Sequence, residues 1–191
     1  MKVRAVQFVS PLLVLCAVAA GCTQNSQSSQ SSTASASSSP FMPKASVREI
    51  MAAEVDPAAD ALWDSVQIKI TAAGEDHQQP RTDEEWQAVR RSALTLIEST
   101  NLLVMDGRHI VGPNVQLPPG EADPAVLQQR LDANRAPFIG FAQALRNVSL
   151  KALDAIDAKD PNRLLEVGGE IDEACEACHL VYWYPPDLVK N

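Results

Sequence analysis

The chain has 191 residues, 46% hydrophobic and 21% charged, which fits a folded globular domain and excludes disorder throughout. A formal net charge of −8 argues against a nucleic-acid partner, because displacing counterions from phosphates needs a basic face. Thirteen prolines and eight glycines fall without a period, which excludes collagen-like repeats, and four cysteines are too few for a disulfide scaffold.

Lys2 and Arg4 form a short basic region, followed by a mostly apolar run from Val9 to Ala20. That run has the length of a signal-peptide core and falls short of the roughly 20 residues that span a membrane. A buried hydrophobic helix is the other reading, but nothing amphipathic follows it. Ala19, Ala20 and Gly21 precede Cys22. Small residues directly before a cysteine resemble the lipobox of bacterial lipoproteins, whose cysteine is acylated and becomes the mature N-terminus. The resemblance implies a signal peptide over 1–21 and lipidation of Cys22. Ala stands at the first lipobox position, where Leu is more usual, so ordinary cleavage at small residues stays open.

Thr23 to Pro40 contains nine serines, three glutamines and no charge. Such a segment cannot offset its chain entropy by burial, so residues 22–43 read as a flexible tether. Anchor and tether together place residues 44–191, the folded domain, in a periplasm. Thr23 stands where an Asp would retain a lipoprotein, which by resemblance implies the outer membrane. Cleavage removes two basic residues and no acidic one, leaving 14 basic against 24 acidic and a net charge of −10. A partner with a basic surface would be steered towards such a domain, although solubility alone also accounts for the charge.

From residue 44 onwards almost nothing alternates with period two, while apolar residues recur at spacings of three and four. The first helix should begin near Ser46, with Val47, Met51, Val55, Ala58, Leu62 and Val66 on one face. Pro57 removes a backbone donor and restricts Asp56, so a kink or restart is expected there. Thr82 and Glu85 match a capping box for the second helix, with Trp86, Val89, Ala93, Ile97 and Val104 as its stripe and Gly107 as its C-cap. Pro113, Pro118, Pro119 and Gly120 make 110–123 a loop. Asp123-Pro124 then starts the third helix, which carries Leu127, Leu131, Phe138, Ala142, Leu145, Val148, Ala152 and Ile156 and should bend at Pro137. Asp160-Pro161 starts the fourth, with Leu164, Gly168, Ile171, Cys175, Cys178 and Tyr182 as its stripe and Pro185-Pro186 as its stop. The expected fold is all-α, an antiparallel four-helix bundle ending in the helix that bears the cysteines. An irregular helical array is the alternative.

Cys175, Cys178 and His179 form C-x-x-C-H, the signature of covalent c-type haem attachment. On a helix, positions i and i+3 share a face, so both sulfurs can reach the vinyl groups on one porphyrin edge. His179, at i+4, can then ligate iron. C-x-x-C alone would also serve as a redox disulfide or as half of a zinc site. A thioredoxin-like motif needs a βαβ context that is absent, and zinc needs more ligands, whereas His77 and His109 lie in expected loops. Export favours haem, because c-type maturation occurs outside the cytoplasmic membrane.

Class I cytochromes c carry this motif near the N-terminus and a methionine ligand downstream. Here 12 residues follow His179 and none is Met. A haem motif on the last helix of four resembles the class II cytochromes, the cytochrome c′ family with its methionine-ligated low-spin relatives, over about residues 44–185. The resemblance implies one covalent haem c per chain, held by Cys175 and Cys178, with iron ligated by His179. It also implies that the first helix faces the other side of the haem, where the family often has an Arg one turn before a distal Met or Leu. Arg48 and Met51 fit that spacing. A Met51 thioether on iron would suit one-electron transfer. Met51 as core filler, or as a residue that crowds an open site, would leave five-coordinate iron that binds NO or CO. Met105 and Met42 are weaker ligand candidates.

Arg48 could pair with a haem propionate or stand solvated. Tyr182 follows His179 on the haem-bearing face and should pack on the porphyrin, with Trp183 and Tyr184 packing nearby. Gly168-Gly169 would admit a neighbouring helix or the macrocycle, and Trp63 and Trp86 read as core anchors. The Asn147-Val148-Ser149 sequon carries no meaning on a bacterial helix. No nucleophile–base pair or paired carboxylates stand out, so the chain reads as an electron carrier and not an enzyme. Its expected partners are redox proteins, a membrane through the lipid anchor and, by the habit of class II cytochromes, a second copy through the first two helices.

Overall fold

The computed structural model describes residues 41–113, 115–118 and 121–187, all within the unit that spans Ser38–Asn191. The expected signal peptide, Cys22 and nearly all of the tether lie outside the described residues. Among the described residues no helix is long and apolar enough to cross a membrane.

The elements in order are α1 (Val47–Ile50), a π-helical turn (Met51–Val55), α2 (Asp56–Ser65), β1 (Gln67–Thr71), β2 (Gly74–Gln78), α3 (Asp83–Leu103), α4 (Pro124–Ala133), α5 (Arg135–Asp157) and α6 (Pro161–Tyr182). The helix starts follow local chemistry. Thr82 and Glu85 cap each other's backbone amides at α3, as the sequence predicts. Asp123 accepts from the Ala125 amide at α4 and Asp160 from the Arg163 amide at α6, each with proline at the first helical position. Ser46 and Glu49 form a second capping box at α1, and these hydrogen bonds hold the Glu49 carboxyl below the usual carboxylate range.

The restart expected at Pro57 is a π-helical turn. The Asp56 amide donates to the Met51 carbonyl five residues back, so the extra residue is absorbed just before the proline that lacks a donor. The third predicted helix is two helices, not one bent helix. Pro137 has no amide to give the Ala133 carbonyl and its ring would strike it, so the chain breaks at Asn134 (φ −129°, ψ 42°) and restarts with Pro137 in its first turn. The second predicted helix stops at Leu103, so Val104 is not part of its stripe. Gly107 takes its φ of 77° in the turn beyond. The last helix likewise ends at Tyr182, before Pro185.

A two-stranded antiparallel hairpin, β1 with β2, interrupts the all-helical expectation. Gln67-Ile68-Lys69-Ile70-Thr71 does alternate, and Gly74 takes the positive φ its turn needs. Neither isoleucine is buried, so the pattern carries no core signal.

Helix α2 packs on α3 and α6, α3 on α5, and α5 on α6, which closes a ring of four helices. Leu62, Leu96, Leu127, Leu164, Val167 and Ile171 fill its centre with under 2% of their surface exposed. The Trp63 indole donates to the Gly168 carbonyl over 2.9 Å, and a Cβ on Gly168 would stand 3.2 Å from the Trp63 ring. The close approach expected at this glycine is therefore made by α2. Trp86 is buried as an anchor, and Trp63 is half-buried and packs against the same core.

Arg108 is buried and, among the described residues, has no carboxylate partner. Its guanidinium donates to the Leu102 carbonyl at the end of α3, to the Ala45 carbonyl and to the Met105 sulfur, so it fills orphan acceptors at a helix C-terminus and ties down the start of the domain. The loop it anchors returns the service. The His109 and Ile110 carbonyls accept from the Val47 and Arg48 amides, the free donors of α1.

Candidate functional site

Two elements converge where the C-terminal turns of α6 face the start of the domain. The α6 stripe that buries Leu164, Val167 and Ile171 continues to Cys175, Cys178 and Tyr182, so the face that makes the core also delivers the chemistry. Opposite it, α1 and the π-helical turn present Val47, Arg48 and Met51. Between them lies a cavity of about 270 Å³, lined by Val47, Arg48, Met51, Ala52, Asp56, Ile110, Phe138, Cys178, His179, Tyr182, Trp183 and Tyr184. A smaller void of about 20 Å³ shares Met51, Phe138, Cys178 and His179 with it and reaches Cys175 and Phe141.

Five of the six candidate cofactor residues thus line one cavity and the sixth, Cys175, borders its neighbour. Met51 and Phe138 stand between the two. The cavity by itself is at the small end for a ligand pocket. Met105 is engaged by Arg108 and Met42 is 89% exposed, so among the described residues Met51 is the methionine that lines the cavity.

Cys175 and Cys178 are half-buried free thiols. Burial pushes Cys175 up to about 11, with help from the Asp172 and Asp56 carboxylates, and Cys178 up to about 12. Redox-active cysteine pairs need the opposite, a pKa lowered by cations or a helix N-terminus. Among the described residues no group of three or more His, Cys, Asp or Glu could hold a metal ion, which leaves a tetrahedral zinc site without ligands. His77 and His109 are exposed and line neither void. The donor set here, two thiols and an imidazole beside an apolar void with a thioether across it, fits covalently attached haem.

Arg48 is partly exposed but does not stand alone. It pairs with Glu121 over 2.9 Å and its guanidinium sits 4.8 Å from the Trp183 ring centroid. A cation already holding a carboxylate at the cavity wall is suited to hold a propionate there. Tyr182 is buried edge-on against Phe138 at 5.2 Å, and its hydroxyl donates to the Asn134 carbonyl over 2.7 Å. The ring therefore walls the cavity and pins α6 to the α4–α5 break. Tyr184 lies 5.7 Å from the His179 ring and donates to Glu176, a bond that raises its pKa to about 12.

Asp56, Val47, Ile110, Phe138 and Glu121 escaped the sequence reading. Val47 and Met51 lie four apart, a spacing that marks the cavity face of α1, and Phe138 was visible as a core position. Asp56 is raised chiefly by desolvation, opposed by the field of His179. Its place follows from the π-helical turn, which shifts the register by one residue.

No family model matches the chain, and no curated protein matches it. The chain is similar to the solved structure of a mutant of cytochrome c prime from Alcaligenes xylosoxidans in complex with nitric oxide. The identity is 18% and the TM-score 0.40, over 73% of this chain and 96% of that one. At that score the likeness carries no weight for the site, whose chemistry rests on its own residues.

Proposed function

We propose that the chain is a c-type cytochrome of class II architecture that carries single electrons. The observation that carries this reading is the cavity shared by Cys178, His179, Tyr182, Arg48 and Met51, with Cys175 at its inner neighbour. Haem, when bound, supplies an iron that cycles between ferric and ferrous states. Cys175 and Cys178 would hold the haem through thioether links to its vinyl groups, and His179 and Met51 would supply nitrogen and sulfur ligands to its iron.

The remaining residues position and shield. Phe138, Val47 and Ile110 keep water from the cavity. Arg48 would hold a propionate, and Tyr182 holds α6 against α5. Trp183 stands half-buried at the cavity wall. The four long helices are proposed to run antiparallel. The lipid anchor on Cys22 and the tether hold the domain in the periplasm, at the outer membrane, and the chain turns over no substrate.

Optical spectra of the purified protein test the reading. Ferrous wild type should show low-spin bands and resist CO, and Met51→Ala should turn high-spin and bind CO. High-spin ferrous wild type that binds CO would instead make this a five-coordinate gas-binding protein.

A further inference from the structure

A second concavity, about 540 Å³, lies between α2, the hairpin and α6. Its floor is Trp63, Val66 and Gly168, and its walls carry Ile68, 47% exposed, and Leu165, 38% exposed. Ile70, two residues along the same strand face, is 86% exposed. The hairpin therefore holds apolar side chains out in water beside an apolar groove, which is costly unless something covers them.

Asp172 lines this groove and Asp64 borders it through Gln67. Beyond the groove the same helices stay acidic, with Asp56 and Asp60 at four-residue spacing before Asp64 on α2 and Glu176 four residues after Asp172 on α6. Asp172, with Asp56, bears on Cys175. Among the described residues none of these five carboxylates forms an ion pair, while seven other acidic groups pair with arginine or lysine elsewhere on the surface. Lys69, on the strand face of Gln67, donates to Gln78, whose amide reaches the Asp64 carbonyl, and forms no ion pair with these carboxylates.

We propose that this groove docks a partner protein that presents lysine or arginine around an apolar side chain. Charge decides between occupants. A second copy meeting this face across a two-fold axis would bring Asp64 and Asp172 of both copies together, and like charges in contact oppose association. An anionic lipid surface would be repelled in the same way. A basic partner gains the apolar contact and relieves the mutual repulsion. The inference goes beyond the haem reading and stands on the groove whether or not haem is attached. Since Asp172 borders both groove and Cys175, a docked partner would sit next to the thiol pair.

The test is calorimetric titration of the mature, purified chain with a synthetic amphipathic lysine–leucine peptide, and with a glutamate–leucine peptide of the same pattern. The lysine peptide should bind, with affinity falling as salt rises, and the glutamate peptide should not. Leu165→Ser and Ile68→Ser should each weaken binding by about tenfold, and Asp64→Asn with Asp172→Asn should weaken it and flatten the salt dependence. Asp132→Asn, far from the groove, should change nothing. Circular dichroism reports folding, and if one serine variant unfolds the other carries the test. Equal binding of both peptides, indifference to the groove substitutions, or self-association of wild type that Ile68→Ser abolishes would each overturn the proposal. Colourless protein that still binds the lysine peptide would sink the haem reading alone.

Discussion

The hydroxyl of Tyr182 reaches the backbone carbonyl of Asn134 over 2.7 Å, so the last turn of α6 is fastened at the point where proline forces α4 and α5 apart. The Asn134 carbonyl also accepts from the Phe138 amide. Tyr182→Phe therefore removes a bond without orphaning its partner, and the expected cost is about 1 kcal/mol. Thermal unfolding should show a loss of a few degrees, with the ring's packing on Phe138 kept.

Adjacent glycines on α6 should respond oppositely. Gly169 has nothing within 4 Å of an added Cβ, so Gly169→Ala should stabilise by roughly 0.5–1 kcal/mol through helix propensity. At Gly168 the methyl meets Trp63 at 3.2 Å, and the indole must shift from its bond to the Gly168 carbonyl. Gly168→Ala should forfeit that gain, and urea denaturation of the two variants side by side separates them.

The buried thiols set a pH dependence in the haem-free chain. Folding raises Cys175 and Cys178 from 9.0 to about 11 and about 12, so the folded state resists forming the thiolate. Their contribution to stability is whole below about pH 9. It falls above that as the unfolded chain releases its protons first, and it is gone once the folded thiols ionise. The denaturation midpoint of the haem-free chain should drop between about pH 9 and pH 12, and Cys178→Ser should lessen the drop.

Arg48 couples the cavity wall to Glu121 and Trp183. Both side chains of the pair are about one-third exposed or less, at 35% and 26%, so solvent weakens the pair without removing it. Arg48→Ala should cost roughly 0.5–1 kcal/mol, and the emission of Trp183 should shift as its cover is lost.

Legibility in the sequence followed how local the cause was. Thr82 with Glu85, Asp123 with Pro124 and Asp160 with Pro161 act within four residues, and the helices start there. The stripe from Leu164 to Tyr182 was readable because one face serves both core and site. The break at Asn134 was harder, since Pro137 acts on a carbonyl four residues upstream and so ends a helix before it. The hairpin was illegible for another reason. Its isoleucines alternate over five residues but face water, so no burial pattern backs them. Arg48 with Glu121, Arg108 with Ala45 and the groove beside Trp63 join segments far apart in the chain, and no periodicity reports such pairs.

The central claim is that two thiols on α6 hold a porphyrin covalently, and intact mass spectrometry of the mature chain under denaturing conditions tests it most directly. The account predicts wild type heavier than its mature polypeptide by one haem, retained through unfolding, and its loss when Cys175 and Cys178 are both changed to Ala. Properly matured wild type at the bare polypeptide mass, or lighter by two protons for a Cys175–Cys178 disulfide, would contradict it.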